Sequence, residues 1–451
     1  MNILQNFFIL ILNPIYTITK KIPEKIKETL ITVCFIYLFL MQIFINSNFF
    51  IWDGISFTSQ AFLGCIFLFF IIIMSINKKL ELLNNFRVLP TLWMTFGVII
   101  IIVSFIHPVG EGFRALALTV LIAFPCLYFV WGNRGDYNKL FELITKAIAF
   151  VGGMYFIFCI LTVPFETAVT HAGRYAGTAN NPNFLGMICS IVLCASLYLI
   201  INETKYIWLY YAVCGLSLMF SILSVSRTSI LSILITTIFF IIFYFKVNIV
   251  NNKKKLILNM ITIILIFISF SILGLSINKS ISNLSTEYTT NKTNDSTKKL
   301  IKNKNVTKTN AFDRLKIEDK DLNTISSGRL TIWKYYLKHI NLIGNKVIKT
   351  VYVKDLNLKV YGAHNTPLDI AYRTGVINGV VWLIIEIFTG LKALIFVFGK
   401  KYKEPYYLFM SMSIIIFCVY SMLEIAIFPF KSQPVLLFYL AISPLFFKKD
   451  I

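Results

Sequence analysis

Three arginines, Arg114, Arg174 and Arg227, each stand in a short polar stretch beside a long apolar run, whereas lysine supplies most of the positive charge elsewhere. The guanidinium group is planar, stays charged and can hold a phosphate through two parallel hydrogen bonds. An arginine beside an apolar run can also extend to lipid headgroups. The neighbouring residues therefore decide which kind of anion each arginine is expected to bind.

Arg174 has the most polar surroundings. The segment from Gly173 to Asn183 contains two glycines, one proline and three asparagines. Asparagine at a helix start caps free backbone amides, and that end of a helix favours an anion. A tight turn explains the glycines, proline and asparagines, but it does not explain the arginine. Arg227 is flanked by hydroxyl side chains at another predicted helix start, where phosphate binding and a capping box both fit. For Arg114, contact with a headgroup is the favoured interpretation.

His364 is the histidine most suited to chemistry. It lies between Tyr361 and Pro367, where a long hydrophilic segment returns to an apolar run. A neutral imidazole in this place could act as a general base near pH 7. A histidine that only bonds to a turn carbonyl fits the sequence equally well.

Motifs for other chemistry are missing from the sequence. It holds no glycine-rich phosphate loop, no dinucleotide fingerprint and no Cys/His metal spacing. Asp319 and Asp321 form an Asp-x-Asp pair, but acids alternate with lysines around them, which predicts a solvated surface. All eight cysteines fall inside predicted spans, which favours packing over disulfides or metal binding. We expect neither a metal nor a cofactor. Glu386 and Lys392 lie within a span, where a helix contact or ion pair is expected and an ion pathway stays open.

Apolar helices must position these residues. Of 451 residues, 57% are hydrophobic and 14% charged, against roughly a quarter charged in soluble domains. Runs of about 18 to 23 apolar residues are long enough to cross a bilayer, and they must be helical because their backbone groups need internal partners. We therefore predict an all-α, polytopic integral membrane protein of about twelve helices. The predicted spans are 30–47, 56–76, 88–106, 113–131, 140–164, 184–202, 206–224, 228–245, 256–276, 376–398, 405–423 and 428–447.

The loops between the spans alternate in charge. Lysines cluster in one set of loops, and the short opposite loops hold acidic residues. These acids are Asp53, Glu111, Glu166 and Glu424. The positive-inside rule places the lysine-rich loops and both termini in the cytoplasm of a bacterial cell, and it places the three arginines and His364 on the outer face of the inner membrane. The net charge of +22 is distributed as this rule expects, which argues against nucleic acid as a partner.

A hydrophilic segment at 277–375 is then one large outer loop. Its first part, 278–308, is rich in Asn, Thr, Ser and Lys and is predicted to be a flexible insertion. From Gly328 onward, apolar residues recur at helical spacing and predict an amphipathic helix near the site. Those residues are Leu330, Trp333, Leu337 and Ile340. The sequence therefore predicts three units. The first, 1–276, holds an interfacial helix over Met1–Lys21 and spans one to nine. The second is the outer loop 277–375, and the third, 376–451, holds spans ten to twelve.

Four short motifs, in this order, resemble those of the O-antigen ligase and O-antigen polymerase superfamily of bacterial membrane glycosyltransferases. They are Gly173-Arg174 through Asn181-Pro182-Asn183, Ser226-Arg227-Thr228, Ser327-Gly328-Arg329 followed by Trp333, and His364-Asn365 with Gly375. Each motif is short. Their order, the helix count and the outer loop between late spans together extend the resemblance over most of the chain.

The resemblance implies a metal-independent, inverting transfer of a glycan from undecaprenyl diphosphate to an acceptor hydroxyl. The acceptor would be lipid A–core for a ligase, or a second lipid-linked glycan for a polymerase. By the same resemblance, Arg174 and Arg329 would hold the diphosphate and His364 would activate the acceptor, and these three are the predicted catalytic residues. The predicted diphosphate or glycan contacts are Arg174, Arg227, Arg329, Asn181, Asn183, Asn365 and Arg114.

Three alternatives stay open on the sequence. The combined motifs favour a ligase slightly over a polymerase, since both use the same chemistry. A flippase or other transporter would be expected to show internal repeats and charges deep in several spans, and the sequence shows neither clearly. A non-catalytic assembly protein would leave the placement of Arg174, Arg329 and His364 unexplained.

Overall fold

The fold is that of a computed structural model, which describes residues 2–47, 57–84, 88–107, 111–171, 173–202, 205–248, 253–295, 326–346, 351–353 and 358–447. The α-helices are α1 (Asn2–Thr19), α2 (Glu24–Ile45), α3 (Phe57–Ser75), α4 (Val88–Ile106), α5 (Glu111–Leu118), α6 (Phe124–Arg134), α7 (Tyr137–Thr162), α8 (Pro182–Ile201), α9 (Ile207–Ser224), α10 (Arg227–Asn248), α11 (Lys253–Asp295), α12 (Arg329–His339), α13 (Thr366–Thr374), α14 (Val376–Phe398), α15 (Pro405–Leu423) and α16 (Gln433–Ala441). The other elements are a π-helical turn (Thr119–Ala123), 3-10 turns (Phe165–His171 and Ser443–Leu445), and the antiparallel strands β1 (Val351–Val353) and β2 (Leu358–Val360).

Ten helices in the described ranges are long and apolar enough to cross a membrane, judged by length and composition. Two shorter apolar helices, Ser59–Ser75 and Gln433–Leu445, occupy the remaining predicted spans. This confirms the all-α, polytopic class. The predicted fourth span differs from a regular helix, because the π-helical turn joins α5 to α6 within it.

Two predictions about the hydrophilic segment need correction. Helix α11 continues to Asp295, well past the predicted end of its span at 276. No Gly or Pro interrupts 278–295, and extending an existing helix avoids the cost of a new nucleus. The remainder of the predicted insertion, like Asp319 and Asp321, lies outside the described residues. The predicted amphipathic helix is present as α12, but its buried residues are Ile332 and Tyr336 while Leu337 is exposed.

The buried face of α12 follows from its neighbours. It packs with β1, β2 and the start of α13 in a small hydrophobic cluster separate from the main helical core. The buried members of this cluster are Ile332, Tyr336, Val351, Val353, Val360 and Ala363. The two short paired strands, and not the apolar positions of α12 alone, therefore set which side of the helix is covered.

Buried hydroxyl groups join four helices near the ends that carry the predicted site residues. Ser229 Oγ on α10 lies 2.8 Å from Ser221 Oγ on α9 and 3.2 Å from Ser190 Oγ on α8. Ser190 Oγ in turn lies 3.1 Å from Tyr420 Oη on α15. All four side chains are buried, where a hydroxyl without a partner is costly. Their mutual hydrogen bonds therefore favour one register of these helices.

Gly375 joins α13 to α14 in a conformation that suits only glycine. Its φ is 97°, and a Cβ there would lie 2.1 Å from the carbonyl oxygen of Leu342. We expect Gly375→Ala to destabilise the protein by about 2 kcal/mol or more, because both backbone strain and a clash with a main-chain atom arise. The measurement is the thermal midpoint of the detergent-purified protein. Gly390→Ala is the control, since its nearest atom would be Cys418 Sγ at 3.9 Å. Equal midpoints for the two variants would contradict the prediction.

Candidate active site

Glu424, directly after the end of α15, receives hydrogen bonds from three of the predicted site residues. Arg329 Nη2 donates to its Oε1 at 2.6 Å, and His364 Nδ1 lies 3.1 Å from Oε2. Asn183 Nδ2 also donates to Oε1, at 3.4 Å. These partners come from three separate motifs of the sequence. The carboxylate of Glu424 therefore connects them.

Arg174 reaches this cluster through Asn183. Its Nη2 donates to Asn183 Oδ1 at 2.6 Å, and its Nε donates to the carbonyl of Ser224 at 2.9 Å. Asn181 caps α8 by accepting the backbone N–H of Asn183 at 2.8 Å. The Arg174 side chain is buried, with 9% exposure. In this geometry Arg174 orients the Asn183 amide and ties its own loop to the end of α9.

Arg227 connects the start of α10 to the segment that leads into α12. Its Nη2 donates to Ser327 Oγ at 2.9 Å. Ser327 and Gly328, with φ of 55° and 79°, form the tight turn immediately before Arg329. The second and third motifs of the sequence are therefore in direct contact.

Backbone strain is concentrated in the same place. Among the residues that the structure describes, the non-glycine residues with positive φ are Val225 (45°), Ser327 (55°) and His364 (49°). Two of them lie two positions before an arginine of the site, and the third is the candidate base itself. A branched residue such as valine rarely adopts this conformation. Strained backbone persists only where the surrounding structure enforces it, and it is common at functional sites.

Helix α13 positions both His364 and the loop that carries Glu424. Asn365 caps the helix by accepting the N–H of Leu368 at 3.0 Å, and its Nδ2 donates to the Met422 carbonyl at 3.2 Å. Thr366 Oγ1 donates to the carbonyl of Glu424 at 3.1 Å. Its hydroxyl also accepts the N–H of Ala426 at 2.8 Å. The first turn of α13 thus holds the imidazole and the carboxylate side by side.

The charge state of Glu424 determines what His364 can do. Burial raises the pKa of Glu424, but the hydrogen bond from His364 and the charge of Arg329 outweigh it, so the pKa lies below its ordinary value. An ionised carboxylate only accepts hydrogen bonds. In the neutral form of His364 the ring proton is therefore assigned to Nδ1, which leaves the lone pair on Nε2. A carboxylate that fixes the tautomer in this way prepares an imidazole to act as a base.

The remaining predicted contact is Arg114. It is on α5 with an exposed side chain, and none of the contacts described above reaches it. Glu424 is the residue that sequence reasoning did not select. It was noted only as an acid in an outer loop. Its position at the end of a span was visible, but nothing in the sequence showed that three distant motifs would meet it.

These features define a polytopic α-helical membrane protein with a cationic site containing a histidine at one end of its helix bundle. The family model described as O-Antigen ligase matches residues 212–383. Within this part of the chain the match confirms the predicted resemblance to the O-antigen ligase and polymerase superfamily. The matched segment includes Arg227, Arg329 and His364, while Arg174 and Glu424 lie outside it and join it through the contacts above. A search of curated proteins and a search of solved structures found no match.

The lowered pKa of Glu424 predicts a pH dependence of stability. In the unfolded chain the pKa of a glutamate is about 4.3. The ionised carboxylate therefore contributes fully above about pH 4.3, and its contribution is lost as the pH falls through the lower folded-state pKa. We expect the difference in thermal midpoint between wild type and Glu424→Gln to shrink as the pH falls from about 5 to below about 4.

The control for this titration is Glu166→Gln, which removes an exposed carboxylate from the Phe165–His171 turn. Its midpoint difference from wild type should not change over the same pH range. A Glu424→Gln difference that stays constant down to pH 3 would contradict an ionised, hydrogen-bonded Glu424.

Proposed function

We propose that this protein is an O-antigen ligase-like glycosyltransferase. In this proposal it moves a glycan from undecaprenyl diphosphate to an acceptor hydroxyl at the outer face of the bacterial inner membrane. The observation that supports this most strongly is the placement of His364 and Arg329 on the two oxygens of one partly buried carboxylate. A base and a cation held at neighbouring points suit a displacement in which one group loses a proton and the other gains negative charge.

The cations serve the donor. As the sugar leaves, negative charge grows on the diphosphate oxygens, and a fixed guanidinium stabilises that charge without needing to reorganise. A guanidinium has five N–H donors, and Arg329 directs one of them to Glu424. Its remaining donors can meet the diphosphate. Arg227, through its contact with Ser327, stands beside the same segment. Arg174 adds positive charge but acts mainly by orienting Asn183.

The imidazole serves the acceptor. Nε2 of His364 takes the proton of the acceptor hydroxyl while the oxygen of that hydroxyl bonds to the anomeric carbon. The bond from that carbon to the diphosphate oxygen breaks, and its electron pair leaves with the diphosphate. Attack opposite the leaving group inverts the anomeric centre. The reaction class, as the family resemblance implies it, is metal-independent.

The proposal includes an orientation. The lysine-rich loops predict that both termini are cytoplasmic and that the site faces outward. In that orientation the donor is already at the outer leaflet. The glycan acceptor is lipid A–core in the ligase form of the proposal. A polymerase would use the same site with a second lipid-linked glycan as acceptor.

A transporter would be expected to carry charged groups deep in its spans. The acidic residue of α14, Glu386, is buried, and its contacts show what it binds. Glu386 Oε1 accepts a hydrogen bond from Trp382 Nε1 at 2.6 Å and is also bonded to Ser421. Trp382 lies one turn before Glu386 on α14 itself, whereas Ser421 lies on α15, so its hydrogen bond joins the two helices. The helix contact expected for Glu386 thus accounts for Oε1, while Oε2 is buried without a hydrogen-bond partner.

The test deletes the chromosomal copy and complements it with wild type, Arg174→Ala, Arg329→Ala or His364→Ala at matched membrane levels. We expect loss of His364 or Arg329 to lower glycan transfer by at least about 100-fold, as for removal of a base or of a transition-state donor. Arg174→Ala should lower glycan transfer less, because the hydrogen bond from Arg174 to Asn183 positions that asparagine. The readouts are surface glycan on gels and lipid-linked glycan extracted from membranes.

Lys205→Ala, on the opposite side of the predicted topology, is the matched control and should complement fully. Long glycans left on undecaprenyl diphosphate in the deletion would identify a ligase, and single repeat units a polymerase. Normal glycan in cells carrying Arg329→Ala and His364→Ala would contradict the proposed function.

A further inference from the structure

An ion pair on α13 contacts the turn at residues 361–363, which leads to His364. This ion pair takes no part in the contacts of Glu424. Asp369 is buried, with 1% exposure. Arg373, one helical turn later, donates from Nε to Asp369 Oδ2 at 2.7 Å. An exposed pair at this spacing adds little to helix stability. The burial of the Asp369 carboxylate therefore calls for an explanation from the groups around it.

Those groups are the backbone of the turn that leads to His364. The N–H of Ala363 donates to Asp369 Oδ1 at 3.1 Å. Arg373 Nη2 donates to the carbonyl of Tyr361 at 3.2 Å. The ion pair thus binds a main-chain donor and a main-chain acceptor on either side of Gly362. A Cβ on Gly362 would lie 2.7 Å from Asp369 Oδ1 and 2.2 Å from Ile425 Cδ1, so the turn is also packed tightly against the pair.

The turn needs such support because His364 has a φ of 49°. In an unconstrained chain a histidine would favour the extended or helical region. On its C-terminal side, Asn365 is fixed as the cap of α13. On its N-terminal side, the ion pair holds residues 361 to 363. His364 is therefore held from both sides, with Nδ1 directed at Glu424.

We propose that Asp369 and Arg373 are positioning residues, which clamp the turn at 361–363 and so keep His364 in its left-handed conformation against Glu424. This inference rests on the proposed function for its effect on glycan transfer. Its effect on the imidazole itself is independent of any reaction.

Two variants of Asp369 separate its contact with Arg373 from its contact with the N–H of Ala363. Asp369→Ala removes both contacts of the carboxylate. Asp369→Asn keeps an oxygen for the N–H of Ala363 but loses the charge that holds Arg373. Glu142→Ala is the matched control, because Glu142 forms an ion pair of the same spacing with Lys146 on α7. All are made in the full-length protein and purified in detergent.

The first readout is modification of each histidine by diethyl pyrocarbonate, followed by mass spectrometry. In Asp369→Ala, the rate at His364 should rise several-fold, with an intermediate rise in Asp369→Asn. His107, His171 and His339 serve as internal controls and should not change. A rise at all four histidines, or at none, would overturn the proposal, since the first would report general loosening and the second would show no role for the clamp.

The second readout is glycan transfer with lipid-linked donor and acceptor extracted from the producing cells. Asp369→Ala should lower kcat by about 10-fold or more while the KM for the donor stays within about two-fold, because the base moves and the cations do not. A raised donor KM with unchanged kcat would overturn the proposal. If Arg329→Ala and His364→Ala turn over normally, the proposed function fails, while the modification rates still report on the clamp.

Discussion

The site depends on one constraint, which is that the carboxylate of Glu424 is largely shielded from water. Glu424 has a side-chain exposure of 16%, and a carboxylate in that setting must be compensated by hydrogen bonds or by opposite charge. Arg329, His364 and Asn183 provide that compensation. Removing one partner would leave a partly buried charge without compensation, which destabilises the folded state. The same interaction therefore stabilises the fold, fixes the tautomer of the imidazole and sets its distance from the guanidinium.

Other features follow from the need to bring distant segments to that carboxylate. The buried hydroxyls of Ser190, Ser221, Ser229 and Tyr420 hold α8, α9, α10 and α15 in register. The turns at Val225, Ser327 and His364 accept unfavourable backbone angles. The strain is local to the segments that deliver an arginine or a histidine, which is consistent with a geometry set by the site and not by the packing of the helices.

Much of this could be predicted from the sequence. Apolar runs of sufficient length permit only helices in a membrane, so the class and the position of the spans followed from Ile-, Leu- and Phe-rich stretches. Arg174 and Arg227 stand out as arginines beside apolar runs on the predicted outer face, and His364 stands out where the long loop returns to the membrane. The role of Arg329 follows only from the family resemblance. What the sequence could not provide was their common partner. Glu424 lies 60 positions after His364, and only the path of α15 brings it close. The buried face of α12 could not be predicted either, because it depends on two paired strands of only three residues each.

The central claim is that Glu424, His364 and Arg329 act as one unit, and a double-mutant cycle on glycan transfer tests it most directly. Glu424→Gln is combined with His364→Gln and, separately, with Arg329→Gln, and each single and double variant is assayed with the same lipid-linked donor. Residues that act as a unit are strongly non-additive. The account predicts that each double variant is no less active, within about three-fold, than the worse of its two single variants. Effects that multiply in both double variants would show three independent residues and would contradict it.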